Sequence, residues 1–324
     1  MRFVYDNFRN KPFKPLYNAL VPRRYRKRWD FIYNEIPTQH AVEQYWEMTI
    51  NEYIKGNIEK PVIKINKPEL VGKKIIWQYW AQGIENAPEF VNFCFKSVDR
   101  FKGDYTVIRL TDDTVKDYLI FPDFVKEKRK SKVFKPVFFS DLLRITLINN
   151  YGGIWLDASI FLTDALPQNL INQKFFMFSR DDNSANKEWG LKTDNCYFGW
   201  SEQFKVNFLS SIIFGQPNID ISMILQDLML NFWKTQDTIP HYFFFQILIN
   251  TLRKNNVVNF EFPIIDDTLP HKLQFSLNEP FNSYIFEEII DNVSLHKLSF
   301  HKQWEKIDES GIITYYGKLL EKYN

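Results

Sequence analysis

The chain has 324 residues, 45% of them hydrophobic and 25% charged. That makeup suits an ordinary globular protein and excludes a disordered or low-complexity one. The net charge of +2 is unevenly spread: residues 1–30 hold nine Lys/Arg against two Asp, a net of +7, and the remainder carries −5, so the two parts face different environments.

No apolar run approaches the ~18 residues needed to cross a bilayer. The start, Met1 to Asp6, lacks the apolar region of a signal peptide, so a cytoplasmic location is expected. Cys94 and Cys196 stand far apart without a CxxC partner; both are read as free thiols of a reducing compartment, and a zinc site is set aside.

Residues 1–30 combine Pro12, Pro15 and Pro22 with the run Arg23-Arg24-Tyr25-Arg26-Lys27-Arg28-Trp29. Basic side chains near anionic lipid contribute about 1 kcal/mol each, and Trp and Tyr suit the interface. A membrane surface is therefore a candidate partner, beside the plainer reading of a solvated arm. No nucleic-acid motif accompanies the patch, and no nucleic-acid partner is expected.

Val42, Tyr45, Trp46, Ile50 and Tyr53 predict an amphipathic helix over 37–60, with Gly56 closing it. The Pro-containing stretch 60–70 reads as an extended linker. Lys74 to Gln78 predicts a strand, and Gln78 to Gly83 a loop at its end. Glu89 to Phe101 predicts a helix and Tyr105 to Leu110 a second strand. Thr111-Asp112-Asp113 is read as a helix start. This alternation predicts a parallel α/β sheet. Further on, 174–179 reads as a strand, 180–186 as a polar loop, 219–233 as a helix, and a last helix is expected to begin at Pro240-His241-Tyr242.

The most informative stretch is Ser140 to Ser159. Leu143, Leu147 and Tyr151 recur at helical spacing. Ser140 is a plausible N-cap with Asp141 in the first turn, and Asp141 and Arg144 share a face. Gly152-Gly153 ends this helix. Ile154-Trp155-Leu156 suits a central strand, which delivers Asp157 and Ser159 to the strand end where α/β sheets bind ligands. Carboxylates accept hydrogen bonds from sugar hydroxyls, arginine binds phosphate, and an aspartate can hold a divalent cation. An N-cap, a surface ion pair and a turn would leave the same spacing.

The run Ser140-Asp141, Arg144 and Tyr151-Gly152-Gly153-Ile154-Trp155-Leu156-Asp157 resembles the core of the capsular polysaccharide synthesis proteins. These are bacterial glycosyltransferases similar to glycosyltransferase family 32 and, more distantly, to the glucosylating clostridial toxins. The resemblance also takes in Lys74 to Gly83, Tyr242-Phe243-Phe244 and His296 to Phe300. It implies a GT-A type, Rossmann-like α/β sheet flanked by helices in residues 71–324, behind a basic, mostly helical extension over 1–70. It also implies transfer of a sugar from a nucleotide-sugar, expected to be a UDP-sugar, to a capsular or surface glycan acceptor. Retention at the anomeric carbon and a peripheral place on the inner face of the cell membrane follow from the same resemblance.

By that resemblance, Trp77, Trp80 and Gln82 are expected beside the nucleotide, although Trp77 reads more readily as a core residue and Trp80, at the loop, as the contact; Asp141, Arg144, Gly153, Asp157 and Ser159 are expected on the donor. Lys297, His301 and Lys302 are expected at the diphosphate. Catalysis is expected at Asp157, with Asp194 and Asn195 near the donor sugar. Relatives often carry Asp-x-Asp where this chain has Asp157-Ala158-Ser159. A hydroxyl is a weaker ligand for a hard cation, so Asp157 is a candidate metal ligand while dependence on Mn²⁺ or Mg²⁺ stays open. Two other classes stay open as well: an inactive nucleotide-sugar or glycan-binding protein, and a membrane-docked scaffold of a capsule-synthesis complex.

Overall fold

The computed structural model describes residues 12–257 and 260–323. The first eleven residues of the basic arm lie outside them. The chain divides into two compact units, one of 1–58, 182–208 and 238–257, and one of 59–181, 209–237 and 258–324.

The second unit holds the sheets. Its strands are β1 (Lys64–Ile65), β2 (Ile75–Tyr79), β3 (Thr106–Leu110), β4 (Leu119–Ile120), β5 (Gly153–Leu156), β6 (Ile160–Leu162), β7 (Phe175–Phe176), β8 (Ile212–Gly215) and β9 (Leu295–Lys297). The central sheet has the order β3-β2-β5-β8-β7. The β2 strand runs parallel to both β3 and β5, while β8 is antiparallel to β5 and to β7. Every residue of β2 and β8 is buried, the pattern of a sheet covered on both faces. The helix Glu89–Phe101 lies where its apolar stripe predicts. Helices Pro136–Tyr151 and Asp220–Thr235 are buried along most of their length. This is a mixed, Rossmann-like sheet flanked by helices, the GT-A type of α/β fold, with a helical N-terminal extension.

Two pairs, β1 with β4 and β6 with β9, are separate antiparallel ribbons. The second ribbon is the one that matters for the site. It pairs Ile160 with Lys297, so a residue near the C-terminus is set beside the loop that follows β5.

The first unit holds helices at Lys14–Leu20, Arg23–Asp30, Ile36–Ile54, Lys187–Thr193 and Phe244–Lys254, with a π-helical stretch at Phe31–Glu35. Trp46 is fully buried there, and its indole N–H donates to the Phe244 carbonyl at 2.9 Å. Glu43 joins Lys205 at 2.8 Å and Lys254 at 3.1 Å. The last of these helices starts at Phe244, later than expected, because His241 turns back. Its Nδ1 accepts from the Phe243 amide and its Nε2 meets Glu35 at 2.7 Å. Cys94 is buried and Cys196 exposed. Among the described residues, no helix is long and apolar enough to cross a membrane.

Candidate active site

The helix before β5 is longer than its sequence signals suggest. It begins at Pro136, where the missing N–H of proline costs nothing. Ser140 is therefore no N-cap: it sits one turn inside, where its hydroxyl donates to Val137 O at 2.6 Å and accepts from Arg144 Nη2 at 2.8 Å. Asp141, likewise, is not in the first turn. Gly152 ends the helix at φ +75°, and its N–H returns to Ile148 O at 2.9 Å, so β5 begins at once.

Arg144 is 3% exposed and its guanidinium is already shared out. Nε donates to Ser140 O at 3.1 Å, and Nη1 to Ser210 O at 2.9 Å and Ser210 Oγ at 2.7 Å. Ion pairs reach Asp141 at 3.1 Å and Asp157 at 3.3 Å. The expected phosphate fork is thus turned inward, and Arg144 holds Asp157 in place.

Asp157 leaves the end of β5. Its Oδ1 accepts from Trp155 Nε1 at 2.7 Å and its Oδ2 lies 3.4 Å from Lys297 Nζ. Burial disfavours the charge on Asp157, but Arg144, then Lys297 and the Trp155 hydrogen bond outweigh it and hold the carboxyl below the usual range. Asp141 behaves in the opposite way. Burial pushes its carboxyl up to about 7, against the pull of Arg144 and with help from the Asp157 charge.

Lys297 completes the group. Its ammonium donates to Ser159 Oγ at 2.8 Å, a contact set by the Ile160–Lys297 register and by the Leu298 amide donating to Ser159 O at 3.0 Å. The cluster therefore has two layers. Asp141 and Arg144 form an inner pair with side chains 8% and 4% exposed; Asp157 and Lys297 form an outer pair at 24% and 25%. An apolar wall stands beside them: Ala158 packs in one cluster with Ala87, Val91 and Phe95, and Trp80 and Phe300 lean on it. The Trp80 indole N–H is buried without a hydrogen-bond partner among the described residues.

This cluster lies where the fold predicts a ligand. One neighbour of β2 is β3 and the other is β5, so the carboxyl ends of β2 and β5 flank a switch in strand order. Trp80 follows the first strand and Asp157 the second.

The other expected contacts each have surroundings of their own. Trp77 is fully buried, and its indole N–H donates to Gly152 O at 2.9 Å; it is a core residue with no face for a base. Gly153 opens β5, at the opposite end from Asp157. A Cβ there would sit 2.4 Å from Ile75 O, so this glycine answers to strand packing and not to a donor. Gln82 is exposed. His301 and Lys302 are exposed, the Lys302 ammonium over the Phe275 and Trp304 rings. Asp194 and Asn195 belong to the first unit. Asp194 Oδ1 accepts from the amides of Cys196 at 3.0 Å and Tyr197 at 3.3 Å, closing its own turn.

Two buried pairings carry no sequence signal. Ser210 anchors Arg144 from 66 residues away. Arg180, in a tract that reads as a solvated loop, is buried in a fork with Asp267, at 2.7 Å from Nε to Oδ1 and 3.0 Å from Nη2 to Oδ2. Arg180 lies outside any helix or strand, like the tract that follows it, but it is buried.

The donor set also bears on a metal. Among the described residues, no group of three or more His, Cys, Asp or Glu is placed to hold an ion. Within the cluster, each carboxylate already faces a cationic side chain. Hard divalent cations favour several anionic or carbonyl oxygens, so the residues present do not fit a resident Mn²⁺ or Mg²⁺.

No curated protein shows a significant match to the chain. Among solved structures, the chain is similar to the apo-form glycosyltransferase GlyE of Streptococcus pneumoniae TIGR4. Identity is 12% and the TM-score 0.38, over 78% of this chain and 63% of that one. The chain thus spans less than two thirds of that protein's length. The family described as capsular polysaccharide synthesis protein matches residues 26–319, a range that holds every member of the cluster from Asp141 to Lys297. The chain belongs to the capsular polysaccharide synthesis protein family.

Proposed function

We propose that this protein is a glycosyltransferase that moves a sugar from a nucleotide-sugar, a UDP-sugar by resemblance, to a growing capsular or surface glycan. The observation that carries this reading is the two-layered set at the end of β5, with Asp157 and Lys297 outermost beside the apolar wall of Trp80 and Phe300. A carboxylate and an ammonium together suit a ligand with both sugar hydroxyls and phosphates. Trp80 has the ring to stack on a base or sugar. In the transfer, the bond from the anomeric carbon to the diphosphate breaks with its electron pair on the diphosphate. The acceptor hydroxyl bonds to that carbon, and its proton passes to the released diphosphate or to solvent. Asp157 would orient donor hydroxyls, and the new charge on the diphosphate would be met by Lys297. Donor-sugar contacts from Asp194 or Asn195, and retention at the anomeric carbon, rest on the resemblance alone.

A peripheral membrane site for the acceptor is part of the same reading. In the first unit Leu16, Leu20, Tyr25 and Trp29 are exposed large side chains, interleaved with exposed Arg23, Arg24 and Arg28. Such a mixture suits an anionic lipid surface.

The test is a screen of nucleotide-sugars for slow release of nucleoside diphosphate by the full chain. Release from one donor and not the others supports the reading and identifies the sugar. No release, together with no calorimetric binding of any donor, overturns it.

A further inference from the structure

We infer that Lys297 is the resident cation of this site and that it replaces a divalent metal in binding the diphosphate of a nucleotide ligand. This rests on the nucleotide-sugar reading above and adds to it the identity of the charge carrier. At a strand end of the Asp-x-Asp kind, the two side chains flanking x are the natural oxygen ligands for a metal. Here those side chains are Asp157 and Ser159, and the Lys297 ammonium already stands on both, 3.4 Å from Asp157 Oδ2 and 2.8 Å from Ser159 Oγ.

The placement is built in. Antiparallel pairing of β6 with β9 sets Lys297 opposite Ile160, and the next amide, Leu298, donates to Ser159 O at 3.0 Å. The lysine stem therefore leaves the backbone one residue from the loop it serves. Charge balance points the same way. Two carboxylates, Asp141 and Asp157, meet two cations, Arg144 and Lys297, so no surplus negative charge remains to attract a divalent ion. Of the three N–H donors of Lys297, two are used by these oxygens. The third has no partner among the described residues, and the side chain is 25% exposed. That donor is free for a phosphate oxygen. Ser159 in place of a second aspartate is then the substitution that makes room for an ammonium, since a hydroxyl accepts from it without adding charge.

The experiment has two arms on the full chain. In the first, free Mn²⁺ is followed by electron paramagnetic resonance, with no nucleotide present. The wild-type protein is expected to take up none at millimolar Mn²⁺, and Lys297→Met to gain at least a tenfold stronger uptake through the freed Asp157 and Ser159. Stoichiometric uptake by the wild type that disappears in Asp157→Asn overturns the inference. In the second arm, binding of UDP and GDP is measured calorimetrically in EDTA and in MnCl₂. Affinity for the nucleotide that binds is expected to agree within twofold, to fall at least tenfold in Lys297→Met and to persist in Lys297→Arg. Nucleotide binding that EDTA abolishes overturns the inference but leaves the glycosyltransferase reading intact. Absence of any nucleotide binding, with or without Mn²⁺, overturns both. Circular dichroism confirms that each variant is folded, and the wild-type measurements decide the matter even where a variant is not.

Discussion

Arg144 and Asp157 meet at 3.3 Å across the end of β5, one from the middle of a buried helix and the other from the loop after the strand. Thirteen positions apart in the chain, they are brought together because Gly152 lets the helix turn straight into the strand. The arginine is spent on this task and on Ser140 and Ser210. Asp157 is left as the carboxylate that solvent and a ligand can reach.

Replacing Asp157 with alanine is expected to lower nucleoside diphosphate release by at least about 100-fold with circular dichroism unchanged. Near-normal release would remove Asp157 from the site. The folded carboxyl sits below its ordinary value, so its pairing adds stability above the unfolded pKa of about 4, and that stability is lost as the pH falls further. Wild type and Asp157→Ala are therefore expected to converge in stability at acid pH, as read by denaturant titration.

Arg144→Met is expected to cost on the order of 3–5 kcal/mol, because it leaves Asp141 buried without its cation. The double variant Arg144→Met with Asp141→Asn should recover much of that loss. Urea unfolding of the wild type, Arg144→Met, Asp141→Asn and the double variant checks it. Additive losses would show that the inner pair is not coupled.

Asp141 gives a pH dependence of the opposite sign. Its folded carboxyl titrates at about 7, well above the ordinary value of about 4. Between those two values the folded state keeps a proton that the unfolded chain has lost, so this group makes stability fall as pH rises through the window and level off above it. Asp141→Asn removes that slope. Denaturant midpoints of both proteins at pH 5, 6, 7 and 8 are expected to diverge steadily up to pH 7, with the variant gaining. Parallel curves would refute the assignment.

The exposed Arg23, Arg24 and Arg28 are expected to bring the chain to vesicles containing phosphatidylserine and not to neutral ones. Charge reversal of the three to glutamate should weaken this by at least about 100-fold, at about 1 kcal/mol for each basic residue removed. Binding should also weaken as salt rises. Flotation of the protein with vesicles measures both, and equal recovery of wild type and variant would count against a membrane role for this helix.

Local chemistry was legible in the chain itself. Apolar spacing placed the helix at Glu89–Phe101 to the residue, and strands β2, β3 and β5 to within one position, because burial on fixed faces writes a period into the sequence. The end of β5 could be marked as a ligand site for the same reason: an apolar run that stops at Asp157 has to emerge there. Ser140 misled, since a serine before a charged residue looks like a cap whether or not the helix has already begun. What each side chain does was decided by partners far away in sequence. Ser210 turns Arg144 inward from 66 positions away, and the β6–β9 register carries Lys297 across 138 positions to Ser159. Gly153 answers to packing only through its surroundings, the Ile75 carbonyl, whereas the core place of Trp77, under the Gly152 carbonyl, is already the plainer reading of its strand. Periodicity is a property of one segment and survives in a linear sequence. Charge pairing and burial belong to pairs of segments, and they come into being only when the fold closes.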